Sequence, residues 1–201
     1  MDYEIYLTEK PIDGRNLTEI NGIPLIKPTQ THSARISFVG KRTNYSPQAD
    51  ALITDNKNLY IGVLTADCLP IFLIGKGIVG VVHAGWRGTL KGISYLTVKY
   101  MAKLSKVEKA ILGVCICKNC YEVGKDVFQQ FGKKYEDCFT RIGKTDKFLF
   151  DLKKANEKQL KAAGIKDIES IPLCTVCNNE RFFSYRKEKT SKRNLSAIRI
   201  K

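Results

Sequence analysis

Hydrophobic positions in this chain come in short runs, and their period changes partway along. Before about residue 84 the runs are brief, rich in β-branched residues and bounded by Gly, Pro, Asn or Asp. They are IPLIKPTQ (23–30), ARISFVG (34–40), ADALITD (49–55) and LYIGVLT (59–65), and each predicts a strand. LPIFLIGKGIVGVV (69–82) holds two continuous apolar runs around Gly75, Lys76 and Gly77. It predicts a hairpin of two buried strands centred near Lys76.

The period then lengthens. Leu90, Ile93, Leu96, Tyr100, Met101 and Leu104 recur at three- and four-residue steps, which predicts a helix over 89–104 with Thr89 as its N-cap. YEVGKDVFQQFGKKY (121–135) and DLKKANEKQLKAAG (151–164) also predict helices, the second closed by Gly164. KAILGVCI (109–116), IKDIESIPLCT (165–175) and NLSAIRIK (194–201) predict further strands. Hairpins mixed with helices indicate an α/β (α+β) domain with mixed sheets rather than a doubly wound parallel one. No repeat or composition break divides the 201 residues, so a single domain over 1–201 is expected.

Composition narrows the class. The start, MDYEIYLTEK, lacks a basic n-region followed by an apolar h-region, and no run reaches membrane-span length. A soluble, cytoplasmic protein with no membrane partner is expected. The net charge of +14 suits a phosphate-bearing partner. The lysines are spread along the chain, with one basic cluster in RKEKTSKR (186–193) and no interleaving with aromatics, so a nucleic-acid partner is not expected.

Against 34 Lys and Arg residues the chain has only two histidines. His83 ends the second apolar run of the hairpin, and antiparallel pairing brings Cys68 to within one residue of its register. The other histidine, His32, lies between two predicted strands. Each histidine alone reads equally well as an ordinary packed side chain. Together, two imidazoles and a thiolate suit zinc or copper, and three protein ligands leave a coordination position open. After His83, AGWRG adds glycines, Trp86 and Arg87 at a helix start, a setting that favours an anion. Cys68 with His83 is also a nucleophile–base pair, as in a cysteine hydrolase or deamidase. The remaining cysteines lie in CICKNC (Cys115, Cys117, Cys120) and CTVC (Cys174, Cys177), plus Cys138. The simplest reading makes them incidental thiols. A second metal site or a redox pair is the alternative.

The motifs QTH (30–32), ADALITD, TADCLPIFL (65–73), HAGWRG (83–88), CYEVG (120–124), FDL (150–152) and FFSYR (182–186) resemble, in order, those of the YfiH-like family, also called laccase-domain or polyphenol oxidase proteins. The resemblance implies one α/β domain with a metal, usually zinc, on His32, Cys68 and His83. It implies phosphorolysis of adenosine, inosine, guanosine or methylthioadenosine, and deamination of adenosine, so the partners would be a purine nucleoside and phosphate. The older family label implies copper-dependent phenol oxidation, but a four-copper laccase centre needs more imidazoles than two. Asp67, Arg87 and Tyr121 are the expected catalytic residues, with Glu122 a further proton-transfer candidate. Gln30, Arg87, Phe183 and Arg186 are the expected substrate contacts. Family members usually carry a longer N-terminal part before Q-x-H. Here the motif begins at Gln30, so an arginine of the substrate site is expected to be missing or to come from elsewhere. Assembly into an oligomer is left open.

Overall fold

The computed structural model describes residues 2–40 and 46–201. It is a mixed α/β domain built on three sheets. The largest has six strands, in the order Asp167–Ser170, Val107–Leu112, Leu69–Gly75, Ile78–Ala84, Ala51–Thr54 and Ile36–Phe38. A five-stranded sheet follows the order Tyr3–Leu7, Asn194–Ile200, Tyr60–Thr65, Ile23–Ile26 and Glu19–Ile20. A small antiparallel sheet joins Glu122–Gly124, Lys147–Phe150 and Phe139–Arg141. Among the described residues no helix is long and apolar enough to cross a membrane.

The continuous apolar runs of the hairpin follow from burial on both faces. Phe72, Ile74, Val79 and Val81 point towards the five-stranded sheet and pack with Ile61, Val63 and Ile198. Leu69, Ile71, Leu73 and Val82 point the other way and pack under helices with Ile93, Val98, Met101, Leu152 and Leu160. Each such fully buried side chain contributes about 1.5–3 kcal/mol relative to exposure.

The hairpin turn differs from the expected one. Gly75 pairs with Ile78, so the turn is Lys76-Gly77 alone, with Gly77 at a φ of 73°. Its centre lies half a residue beyond Lys76. That shift alters one consequence. His83 faces Pro70 instead of Leu69, which puts Cys68, two residues before Pro70, on the same sheet face as His83.

The expected helix over 89–104 is two helices, Trp86–Leu90 and Ile93–Met101, separated at Gly92 with a φ of 80°. Thr89 is therefore inside the first helix and does not cap the second. It is buried and receives a hydrogen bond from Asn156 Nδ2 at 2.9 Å. The buried stripe is Ile93, Ser94, Thr97, Val98 and Met101, whereas Leu96, Tyr100 and Leu104 face solvent. Apolar spacing placed Ile93 and Met101 on the buried face but missed its polar members, which are satisfied internally. Ser94 Oγ donates to Asn156 Oδ1 at 2.6 Å, and Thr97 Oγ1 donates to the Ile93 carbonyl at 2.7 Å. The expected helix over 121–135 is instead the strand Glu122–Gly124 followed by the helix Lys125–Phe131, with Gly132 at a φ of 65° ending it. The helix Leu152–Ala162 stands as expected, followed by Gly164 at a φ of 102°.

Candidate metal centre

The three soft donors meet where the six-stranded sheet faces the five-stranded one. Their ligand atoms all lie within 4.8 Å of one another. His83 comes from the end of Ile78–Ala84, Cys68 from the turn just before Leu69–Gly75, and His32 from the loop before Ile36–Phe38. His83 is buried, Cys68 half-buried and His32 exposed, so the group is open on one side. The imidazoles meet edge to face, their centroids 4.8 Å apart.

The backbone around this group is unusual in ways the donors explain. His32 has a φ of 56° and Asp67 a φ of 100°, both in the left-handed region that L-residues rarely occupy. A Cβ on Gly85 would lie 3.0 Å from Cys68 Sγ and 3.3 Å from His32 Cδ2. Glycine is needed there because the backbone passes directly behind two donors.

Asp50 organises the site. One carboxylate oxygen accepts from the His32 amide at 3.0 Å and lies 2.9 Å from His83 Nδ1. The other accepts from the Ser33 amide at 2.7 Å and the Ser33 hydroxyl at 2.6 Å. The Asp50 carbonyl also accepts from the His83 amide at 2.7 Å. A carboxylate on Nδ1 fixes the ring and leaves Nε2 to act as a ligand, a recurrent arrangement behind metal-bound histidines. The donor set, the orienting carboxylate and the missing Cβ at Gly85 together fit a bound soft metal ion.

Burial works against charge on Cys68, His83 and Asp50, and their proximity overcomes it. Next to His83 and His32, the Cys68 thiol is brought down to about 6. Next to Cys68 and Asp50, His83 is brought up to about 9. Asp50 is held far below the usual carboxylate range, its burial outweighed by hydrogen bonds from His83 and Ser33. The metal-free group is thus a thiolate beside an imidazolium.

A cavity of about 580 Å³ opens from the triad. Its wall includes Gln30, Leu64, Tyr185, Arg15 and Arg193. Gln30 clamps the backbone of Leu64, donating to its carbonyl at 2.9 Å and accepting from its amide at 2.8 Å. Arg87 is exposed, its guanidinium 4.5 Å above the Trp86 ring, and is not among the residues lining this cavity. Asp67 is buried and holds three donors: Thr175 Oγ1 at 2.6 Å, Ser184 Oγ at 2.7 Å and the Arg186 amide at 2.6 Å. The Arg186 side chain donates to the Glu122 carbonyl at 2.8 Å and lies over Tyr121. Burial, then the charge of Cys68, raises the Tyr121 phenol well above its usual range. Phe183 is buried, with Lys10 5.2 Å from its ring centroid.

Asp50 and Arg15 were not singled out from the sequence, and Gly85 and Arg193 entered only as members of AGWRG and of RKEKTSKR. Asp50 carried a signal, since an aspartate opening an otherwise apolar strand needs a buried partner. Arg193 carried one too, as the last residue of the basic cluster RKEKTSKR, whereas Arg15 carried none.

A mixed three-sheet domain with two imidazoles and a thiolate around an open position is, by class, a candidate metalloenzyme with three protein ligands. Comparison with known proteins gives the family. The chain belongs to the YfiH-like family: the family model described as "Multi-copper polyphenol oxidoreductase laccase" matches residues 14–201. A purine nucleoside phosphorylase of Aquifex aeolicus is 36% identical over 201 residues, covering 100% of this chain and 93% of that protein. Adenosine deaminase RL5, from an unknown prokaryotic organism, is 37% identical over 81% of this chain and 70% of its own length. The crystal structure of Bacillus licheniformis hypothetical protein YfiH superposes with a TM-score of 0.80 at 28% identity, covering 88% of this chain and 74% of that one.

Proposed function

We propose that this protein is a zinc-dependent purine nucleoside phosphorylase that also deaminates adenosine. The observation that carries the reading is the open His32–Cys68–His83 group at the head of a cavity whose wall bears two arginines. The names of the relatives from Aquifex aeolicus and of adenosine deaminase RL5 support it.

His32, Cys68 and His83 would hold the ion, with Asp50 fixing His83 through Nδ1. When bound, zinc supplies a Lewis acid with a free coordination position. The chain's own residues supply the rest. Arg15, whose fork is held by Asp13, and Arg193, whose Nη1 donates to the Thr190 and Lys192 carbonyls, put positive charge on this wall, which suits phosphate as co-substrate. They take the role proposed from sequence for Arg87, whose side chain lies against Trp86. Tyr185, exposed on the cavity wall, offers a ring face to a purine. Gln30 shapes the floor through Leu64 rather than by a free amide. Asp67, occupied by three donors, positions the turn that carries Cys68. Tyr121, kept protonated and with Arg186 across its ring, is the proposed proton donor, although like Arg87 it is not among the residues lining this cavity.

Product analysis tests the reading. Zinc-loaded protein with adenosine should release free base and ribose-1-phosphate only when phosphate is present, and inosine without it. Base release independent of phosphate, or no turnover with any purine nucleoside, overturns it.

One observation favours a second reading. A thiolate at Cys68 beside His83 is the resting state of a cysteine nucleophile. A hydrolase of that type would work without metal and lose all activity on alkylation of Cys68. Copper phenol oxidation has the family description behind it, but the chain has two histidines and cannot ligate a four-copper centre.

A further inference from the structure

The two motifs CICKNC and CTVC, far apart in sequence, come together in the fold. The ligand sulfurs of Cys117, Cys120, Cys174 and Cys177 all lie within 4.8 Å of one another. Each motif contributes a pair with two residues between, Cys117/Cys120 and Cys174/Cys177. We propose that these four cysteines form a second metal site, a structural tetrathiolate zinc centre separate from the His32–Cys68–His83 group.

Geometry and exposure argue against incidental thiols. A cysteine that packs as a small hydrophobe is buried. Here Cys177 is exposed, Cys117 and Cys120 are half-buried, and only Cys174 is enclosed, yet the four sulfurs converge. Tetrahedral zinc with Zn–S bonds of about 2.3 Å has sulfur–sulfur edges of about 3.8 Å. Cys120 Sγ and Cys177 Sγ are 3.6 Å apart, close to that edge and far from the roughly 2.05 Å of a disulfide bond.

The surroundings are those of a thiolate. Cys174 Sγ accepts from the Cys117 amide at 3.2 Å and from the Cys177 amide at 3.5 Å. Backbone amides aimed at a sulfur stabilise its anionic, ligating form. Each pair sits on a tight turn: Lys118–Cys120 is a 3-10 helix, and the Asn178 amide donates to the Cys174 carbonyl at 2.9 Å. A zinc ion on four thiolates leaves net negative charge. The neighbouring cavity, walled in part by Cys117 and Cys174, is lined by Lys118, Lys153 and Lys154 as well as Asp151 and Glu157. Binding exchanges four S–H bonds for four S–Zn bonds and releases the four protons to solvent, with no change of oxidation state.

All four positions are filled by protein, so the site is structural. It clamps the segment before Tyr121 to the segment carrying Thr175, whose hydroxyl holds Asp67. One side of the candidate active site is thereby tied down by a metal that never meets substrate.

Metal analysis of the reduced, full-length protein tests this. The wild type should carry about two zinc ions per chain, and Cys117→Ser/Cys177→Ser and Cys68→Ala should each lose about one. Cobalt substitution should give the intense thiolate charge-transfer spectrum of a four-sulfur site, kept in Cys68→Ala and lost in Cys117→Ser/Cys177→Ser. Should that double variant fail to fold, the wild type still decides: peptide mapping should show Cys117, Cys120, Cys174 and Cys177 alkylated only after a chelator is added. Unchanged zinc content in the double variant, prompt alkylation of all four without chelator, or a Cys120–Cys177 disulfide in the reduced preparation overturns the proposal. Stoichiometric iron in place of zinc overturns the choice of metal. Because these readouts do not depend on turnover, a failed assay with nucleosides leaves them unaffected.

Discussion

The molecule holds two cysteine-bearing groups, one joined to Asp67 at Cys68 and the other tied to Asp67 through Thr175, and they differ in donor number, donor type and openness. The His32–Cys68–His83 group has three donors, two of them neutral when ligating, and faces a cavity of about 580 Å³. The Cys117–Cys120–Cys174–Cys177 group has four anionic donors and no position left for a substrate. The first is shaped by strand ends and a buried carboxylate, the second by two tight turns and backbone amides. Donor count separates catalysis from architecture here: an open position lets a reactant in, and a closed shell only holds chains together.

The largest expected effect removes one group and leaves the other. Cys68→Ala or His83→Ala should abolish turnover, a loss of at least about 10³-fold given what metal activation supplies, while the four-cysteine group keeps its zinc. Elemental analysis beside an activity assay reads both. If Cys68→Ala retains activity, the division of roles between the two groups is wrong.

Gly85→Ala comes next, because it crowds the open group without removing a donor. Its Cβ would sit 3.0 Å from Cys68 Sγ, so zinc content should fall by about one ion per chain, with the fold preserved by circular dichroism. Asp50→Asn should follow, costing about 10–100-fold in activity or metal affinity. Competition with a graded chelator measures it, and an unchanged affinity would remove Asp50 from the site.

Anion binding should respond less. Arg193→Ala should raise the phosphate KM by roughly tenfold or more, the weight of one charge-assisted contact, and Arg15→Ala, whose fork Asp13 already holds, by less. Arg87→Ala should change it by less than about twofold, since that side chain stacks on Trp86. A larger effect from Arg87 would return the anion site to the helix start.

The smallest effect is one of reactivity. Cys68 is depressed to about 6, so in chelator-treated protein it is ionised above that pH and protonates as pH falls through it. Its alkylation rate should be half-maximal near pH 6, well below the range of an ordinary thiol. Zinc should suppress it. A midpoint near 8.5 would show that His83 does not stabilise the thiolate.

Much of this was legible in the chain because it is written in local patterns. Continuous apolar runs marked the hairpin, the rarity of histidine singled out His32 and His83, and TADC and HAGWRG carried the family. Other parts were not legible, for identifiable reasons. Backbone conformation at Gly92 divides a helix that apolar spacing reads as continuous. Half a residue in the position of the hairpin turn decides whether Cys68 and His83 share a face, because side chains alternate along a strand. Arg15 is indistinguishable from other basic residues, and Arg193 from the rest of its basic cluster, until the fold carries them to one wall. Two short cysteine motifs, each a weak signal alone, become a four-sulfur group only when the turns at Cys117 and Cys174 lie side by side. Sequence determined which donors exist and how each stretch tends to fold. Tertiary structure decided which donors meet, because burial on both sides of the central sheet sets the strand register and, with it, the position of every side chain at the strand ends.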